Sequence, residues 1–148
     1  MRISAKGRYA LASVVYMAQK NQGGDSITLL SISERLGISK IYLEQVFALL
    51  KRSELVTSVK GAQGGYQLAR PPRQITALDV LTAVETTLFD KTEETVCEKA
   101  PEIEYAMRSA AFQPLDDSVA AALGAVTLDD LVLAAEGYQS ESAVMYYI

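Results

Sequence analysis

Apolar residues recur along this chain mostly at helical spacing, with one short stretch that alternates instead and is rich in glycine. Between Ser4 and Lys20, Leu11, Val14, Val15 and Ala18 fall at i, i+3, i+4 and i+7. That spacing predicts a helix with these four against a core, ended by Asn21 to Asp25 with its two glycines. Ser31-Ile32-Ser33-Glu34 has the form of a capping box and predicts a short helix that Gly37 closes. A third helix is expected from Lys40 to Arg52, with Leu43, Val46, Phe47 and Leu50 turned inward. Two helices joined by a glycine-containing turn predict a helix-turn-helix.

Directly afterwards, Leu55 to Val59 and Tyr66 to Ala69 are rich in β-formers and flank Lys60, Gly61, Gly64 and Gly65. This predicts a β-hairpin, because glycine alone reaches positive φ without steric cost. The order strand, lysine, glycines, strand also sets it apart from a phosphate loop, in which the glycines and lysine lead into a helix. A hairpin tipped with a cation after a helix-turn-helix is the layout of a winged helix.

The remainder reads as helices. Thr76-x-x-Asp79 caps one whose apolar set is Ile75, Leu78, Val80, Leu81 and Val84, and residues 86–100 are polar and acidic, as in a loop. From Pro101 to Leu123 the pattern is helical, and Pro114 is expected to break it, leaving Leu115, Val119 and Leu123 on a separate helix that Gly124 ends. Thr127-x-x-Asp130 caps a last helix carrying Leu128, Leu131, Val132 and Ala135, which Gly137 is expected to close. The fold class is therefore mainly α with a small β-hairpin: a winged helix-turn-helix with C-terminal dimerisation helices. Its expected divisions are 1–75 for DNA binding, 76–137 for helical dimerisation and 138–148 for a tail.

Charge separates the halves more sharply than the net value of −4 suggests. Residues 1–75 hold eleven Lys/Arg against four Asp/Glu, giving +7, whereas residues 76–148 hold three against fourteen, giving −11. Phosphate binding depends on the local field of one face, so an acidic protein can still present a nucleic-acid surface. The basic half is the one with the wing. Lys6, Arg8, Tyr9, Arg52 and Lys60 are the candidate phosphate contacts, with the cations at the start of the first helix suggesting an anionic partner there. Ser39, Lys40, Tyr42 and Gln45 form the candidate recognition surface, where Gln45 can read adenine and Ile41 or Ala48 can meet a thymine methyl. Gly61, Gly64 and Gly65 shape the wing.

Other classes fit less well. No apolar run approaches ~20 residues and no signal peptide precedes the first helix, so a soluble cytoplasmic protein without membrane contact is expected. Cys97 is the only cysteine and histidine is absent, which leaves no disulfide framework, no metal site and no cofactor to expect. An enzyme is not expected either, since no nucleophile and base stand at a recognisable spacing. Cys97 is nonetheless a candidate redox thiol. The end of the chain, Ala-Val-Met followed by Tyr146, Tyr147 and Ile148 with a terminal carboxylate, either docks on the protein's own dimer or fills a partner's pocket.

MRISAKGRYAL, ISKIYLEQVFALLKRSELVTSVKGAQGGYQLAR and ITALDVLTAVE followed by TLDDL together resemble the Rrf-two family of bacterial winged-helix transcription regulators. The resemblance covers nearly the whole chain, and the Tyr-Leu-Glu-Gln and Lys-Gly-x-x-Gly-Gly-Tyr-x-Leu-Ala segments are its specific parts. It implies a homodimer on double-stranded DNA. Many members sense iron–sulfur clusters through three cysteines between the domains, where this sequence keeps only Cys97. The chain is most similar to the CymR-type branch of cysteine-metabolism repressors, which lack those cysteines. That likeness implies a repressor of cysteine and sulfur genes complexed with cysteine synthase (O-acetylserine thiol-lyase), with Tyr146, Tyr147 and Ile148 as the docking tail. The alternative it leaves is a redox or nitrosative-stress sensor of the same family using Cys97 without an intact iron–sulfur site.

Overall fold

The computed structural model describes residues 3–20, 24–61, 64–90 and 93–147, with the side chains of Tyr146 and Tyr147 outside the description. Helix α1 (Ala5–Lys20) leads into α2 (Leu29–Leu36) and α3 (Lys40–Arg52), and the hairpin of β1 (Val56–Ser58) and β2 (Tyr66–Leu68) follows. A 3-10 turn over Pro72–Gln74 then enters α4 (Ala77–Val84). After the loop come α5 (Pro101–Met107), a π-turn (Arg108–Phe112), α6 (Gln113–Gly124) and α7 (Leu128–Tyr147). The strands pair antiparallel with Thr57 opposite Gln67, as a winged helix-turn-helix requires.

Local chemistry explains most boundaries. Ser39 caps α3 by accepting the Tyr42 N–H at 3.2 Å, and Gly37 closes α2 at φ 69°. The start of α2 differs from expectation: Thr28, not Ser31, is the N-cap, accepting the Ser31 N–H at 3.1 Å, so the helix begins a turn earlier. Thr76 and Asp79 exchange both capping bonds at the start of α4, and Thr127 with Asp130 does the same before α7.

One apolar cluster holds these elements. Leu43, Val46, Phe47 and Leu50 of α3 are fully buried, as their spacing predicts. On α1 the inward stripe is Ala10, Val14 and Met17, with Leu11, Val15 and Ala18 only partly covered beside it; the stripe is centred about one residue away from the expected one. Ile75, Val80, Val84 and Leu128 belong to the same cluster. The expected division at 75/76 is thus no packing boundary: α4 and the first turn of α7 complete the core of the helix-turn-helix head. Backbone bonds seal this closure, with the Ala77 N–H donating to Val126 O at 2.8 Å and the Leu128 N–H to Ile75 O at 2.9 Å.

Two breaks expected in the C-terminal half do not occur. Pro114 does not end the helix. The path runs on through the π-turn, where the Gln113 N–H donates to Arg108 O five residues back. A wider turn leaves room for a proline ring that would otherwise crowd the carbonyl four residues before it. Gly137 does not close α7 either, and residues 138–147 continue the helix instead of forming a separate tail. Glycine lowers helix stability by only about 1 kcal/mol, which the residues on both sides outweigh.

The wing base depends on one glycine. Gly65 has φ 117°, and a Cβ there would lie 2.9 Å from Ile27 O, inside the bridge in which Ile27 and Tyr66 exchange backbone bonds at 2.8 Å. Gly61 has open space around it. Gly65→Ala should therefore cost about 1–3 kcal/mol in a denaturant titration, while Gly61→Ala stays within about 0.5 kcal/mol. Equal effects would show that the bridge does not constrain the wing.

Candidate nucleic-acid interface

The exposed face of α3 follows from how the helix is anchored from below. With Leu43, Val46, Phe47 and Leu50 buried, the helix turns Lys40, Ile41, Glu44, Gln45, Ala48, Lys51 and Arg52 to solvent. Ile41 is the most exposed of its large apolar residues at 73%. A bare aliphatic side chain beside Lys40 and Gln45 supplies the mixed surface that base edges require. Glu44 lies on this surface too and was not singled out from the sequence. Its carboxylate repels phosphate but can accept from a cytosine amino group, and its helical phase beside Gln45 was the available signal.

Two contacts align neighbouring elements with α3. The rings of Tyr9 and Tyr42 meet edge to face at 5.3 Å between centroids, fixing the start of α1 beside the start of α3. Phe47 packs against Tyr66 at 4.9 Å, fixing the wing against the helix underside. Lys6 and Tyr42 consequently line one groove with Ser4 and Glu85. Lys40 and Gly65 line a second cleft of about 570 Å³ with Thr28, Leu29, Leu30 and Tyr66. Lys60 and Gly61 are exposed at the wing, and Gly64 turns the chain with φ 64°. Arg52 is exposed at the far end of α3, about 18 Å from Lys40 at 1.5 Å per residue, and lines neither cleft.

The start of α1 has an anion of its own. Glu85, the C-cap of α4, accepts the Ser4 N–H at 2.9 Å and also the Ser4 hydroxyl. A negative charge favoured by the macrodipole at this helix terminus is therefore supplied by the chain itself. Glu85 also packs so closely on Gly7 that a Cβ there would lie 2.5 Å from its oxygen. Lys6 and Arg8 stand beside this cap and are not consumed by it, since no described ion pair includes them.

A different set of side chains gathers where the loop before α5 meets that helix. Arg108 reaches Glu94 at 3.2 Å and Glu104 at 3.6 Å, and the largely buried Glu104 also accepts the Val96 N–H at 3.4 Å. Cys97 lies among them. Its thiol is held above the ordinary thiol pKa, first by its hydrogen bond to the Glu94 carboxylate and then by the charges of Glu94 and Glu104 and by desolvation, against a smaller opposing effect of Arg108. Reactive sensor thiols are shifted the other way, so this environment works against redox use of Cys97.

The fold and the exposed basic surface define a winged-helix DNA-binding protein. The chain belongs to the Rrf2 family of transcriptional regulators: the family model described as an iron-dependent transcriptional regulator matches residues 3–134. It is 36% identical over 132 residues to the HTH-type transcriptional regulator IscR of Xenorhabdus nematophila, covering 89% of this chain and 79% of that protein. It is 48% identical over 88 residues to the HTH-type regulator ORF2 of Azotobacter vinelandii, an alignment that spans only 53% of that relative. Among solved structures it is similar to CymR, the global cysteine regulator of B. subtilis, at 33% identity and TM-score 0.71, covering 89% of this chain and 96% of that one. It is equally similar to T. potens IscR, at 34% identity and TM-score 0.73, covering 94% and 91%. These relatives are DNA-binding regulators and not enzymes, and this chain is a transcriptional regulator of the same kind.

The family description raises the question of iron. Protein iron sites draw on thiolates, imidazoles and carboxylates. Among the described residues no three Cys, Asp or Glu are arranged to hold a metal, and the chain has no histidine. Where acids and the thiol come nearest, a guanidinium already stands between the carboxylates. The residues present do not fit an iron centre.

Cys97 offers a direct check. Native protein should be alkylated by iodoacetamide with a pH midpoint above the ordinary thiol value, because the raised pKa keeps the proton on sulfur at neutral pH. Glu94→Gln should move that midpoint down. A midpoint below that of the unfolded chain would show that the acids do not control the thiol.

Proposed function

We propose that this chain is a homodimeric, cytoplasmic repressor that reads duplex DNA with Ser39, Lys40, Tyr42 and Gln45. Lys6, Arg8, Tyr9, Arg52 and Lys60 hold phosphates, and Gly61, Gly64 and Gly65 shape the wing that delivers Lys60. The observation that carries this reading is the common placement of α3's exposed face, the Tyr9–Tyr42 contact and the wing on the half of the chain that carries +7. Phosphate contacts set affinity and register, and the base edges set specificity.

Dimerisation is supported by the bare helical arm. No residue from Arg108 to Gly124 is buried, and Ile103, Phe112 and Leu115 are exposed. An apolar face of this kind needs a cover, and a second copy meets it isologously while presenting two recognition helices to two half-sites. The regulated genes are assigned to cysteine and sulfur metabolism on the likeness to CymR, together with donors that do not suit iron. Cysteine synthase is the proposed partner. The far end of α7 is the proposed docking element, where Tyr138, Val144 and Met145 are exposed before Tyr146, Tyr147 and Ile148.

Lys60→Ala should weaken binding to every duplex sequence and lower the slope of log K against log salt by about 1, measured by fluorescence anisotropy. Gln45→Ala should instead relax preference at one base position, costing about 1–3 kcal/mol on the preferred sequence only. A Lys60→Ala slope equal to wild type would remove the wing from the interface. Calorimetry with cysteine synthase tests the partner separately: deletion of residues 146–148 should abolish binding, and unchanged affinity would refute docking through α7.

A further inference from the structure

The cluster at the loop–helix junction has a use beyond shielding Cys97. Glu94 lies in the loop before α5, Glu104 lies within α5, and Arg108 is the first residue of the π-turn. The guanidinium therefore bridges two segments that no described backbone hydrogen bond joins except near Val96 and Ala100. Glu104 is the key to its energetics. Its side chain is only 9% exposed, and a carboxylate so placed demands a cation and donors, which here are Arg108 and the Val96 N–H. A divalent ion bound to the same oxygens would have to displace Arg108 or stand beside its positive charge.

We propose that Arg108 is the built-in cation of this junction, closing the loop onto α5 in place of any bound metal. A family member built this way holds its loop, its arm and its DNA-competent shape without iron. The last of these consequences rests on the DNA-binding role proposed above. The planar, permanently charged guanidinium suits the task because it can hold two carboxylates at once, which a lysine ammonium does with poorer geometry.

The test uses the full chain. Anaerobic incubation with ferrous iron and sulfide followed by desalting should leave far less than one iron per chain, and chelators should not change DNA affinity. In Arg108→Ala, amide exchange across residues 93–100 should rise roughly tenfold or more. Millimolar guanidinium ion should restore protection to that variant and leave the wild type unchanged, which a merely space-filling role would not produce. Should Arg108→Ala fail to fold, Glu94→Gln at the exposed rim should raise exchange over residues 93–97 alone. Stoichiometric iron that shifts DNA affinity, or exchange indifferent to both substitutions, would overturn the proposal. Protein that bound no DNA at all would sink the functional reading, while the exchange and iron measurements would still judge Arg108.

Discussion

The burial of Phe47 is the constraint from which the rest of the head follows. Its ring is fully enclosed and lies against Tyr66, so the same side chain fixes the depth of α3 and the position of the wing. Losing such a ring from a core costs about 3–5 kcal/mol, a large part of a small domain's stability. The exposed face of α3 is thus set by the residues beneath it. Tyr42 extends this order outward by meeting Tyr9, which brings the cationic start of α1 onto the same side.

Electrostatics then divides the labour. A net charge of −4 keeps the chain from acting as a generally sticky polycation, while the first half presents its cations locally. The start of α1 shows how finely this is arranged. Ser4 accepts the Gly7 N–H at 3.1 Å and Glu85 in turn accepts from Ser4, while Lys6 and Arg8 enter no described ion pair. Because Glu85 caps the end of α4 and opens the acidic loop, its bonds also join the cationic start of α1 to the segment that leads to Arg108. One end of the loop is thus tied to the head through Glu85 and the other to the arm through Arg108.

Where sequence reasoning succeeded, the deciding physics was local. The α3 stripe, the Gly37 cap, the Thr76 and Thr127 capping boxes and the hairpin each depend on residues close by in the chain. The family resemblance likewise rested on contiguous segments and agrees with the family match. The failures were nonlocal. Thr28 outcompeted Ser31 as a cap because the Ile27–Tyr66 bridge fixes the chain just before α2. The α1 stripe turned by about one residue because α4 and α7 also pack on it, and neither is visible from within α1. Glu85 as the partner of Ser4, 81 residues away, had no signal in spacing at all. The choice among exposed α3 residues remains a matter of chemistry, since burial alone treats Glu44 and Gln45 alike.

Pro114 is the most instructive misreading, because the irregularity it enforces has a geometric product. In an unbroken α-helix, Ile103 and Met107 would drift off the face carrying Phe112, Leu115, Val119 and Leu123, since Phe112 follows Met107 by five positions and α-helical neighbours on one face stand three or four apart. The π-turn between them, closed by an i to i+5 bond from the Gln113 N–H to Arg108 O, accommodates one extra residue and brings the two sets closer into line. Ile103, Met107, Phe112, Leu115, Val119 and Leu123 therefore fall along one side of an arm of 24 residues, about 36 Å long. A continuous stripe can pair with its own copy over its whole length; an interrupted one would pair only in pieces. The proline that seemed to divide the arm is what requires the turn that makes its surface whole.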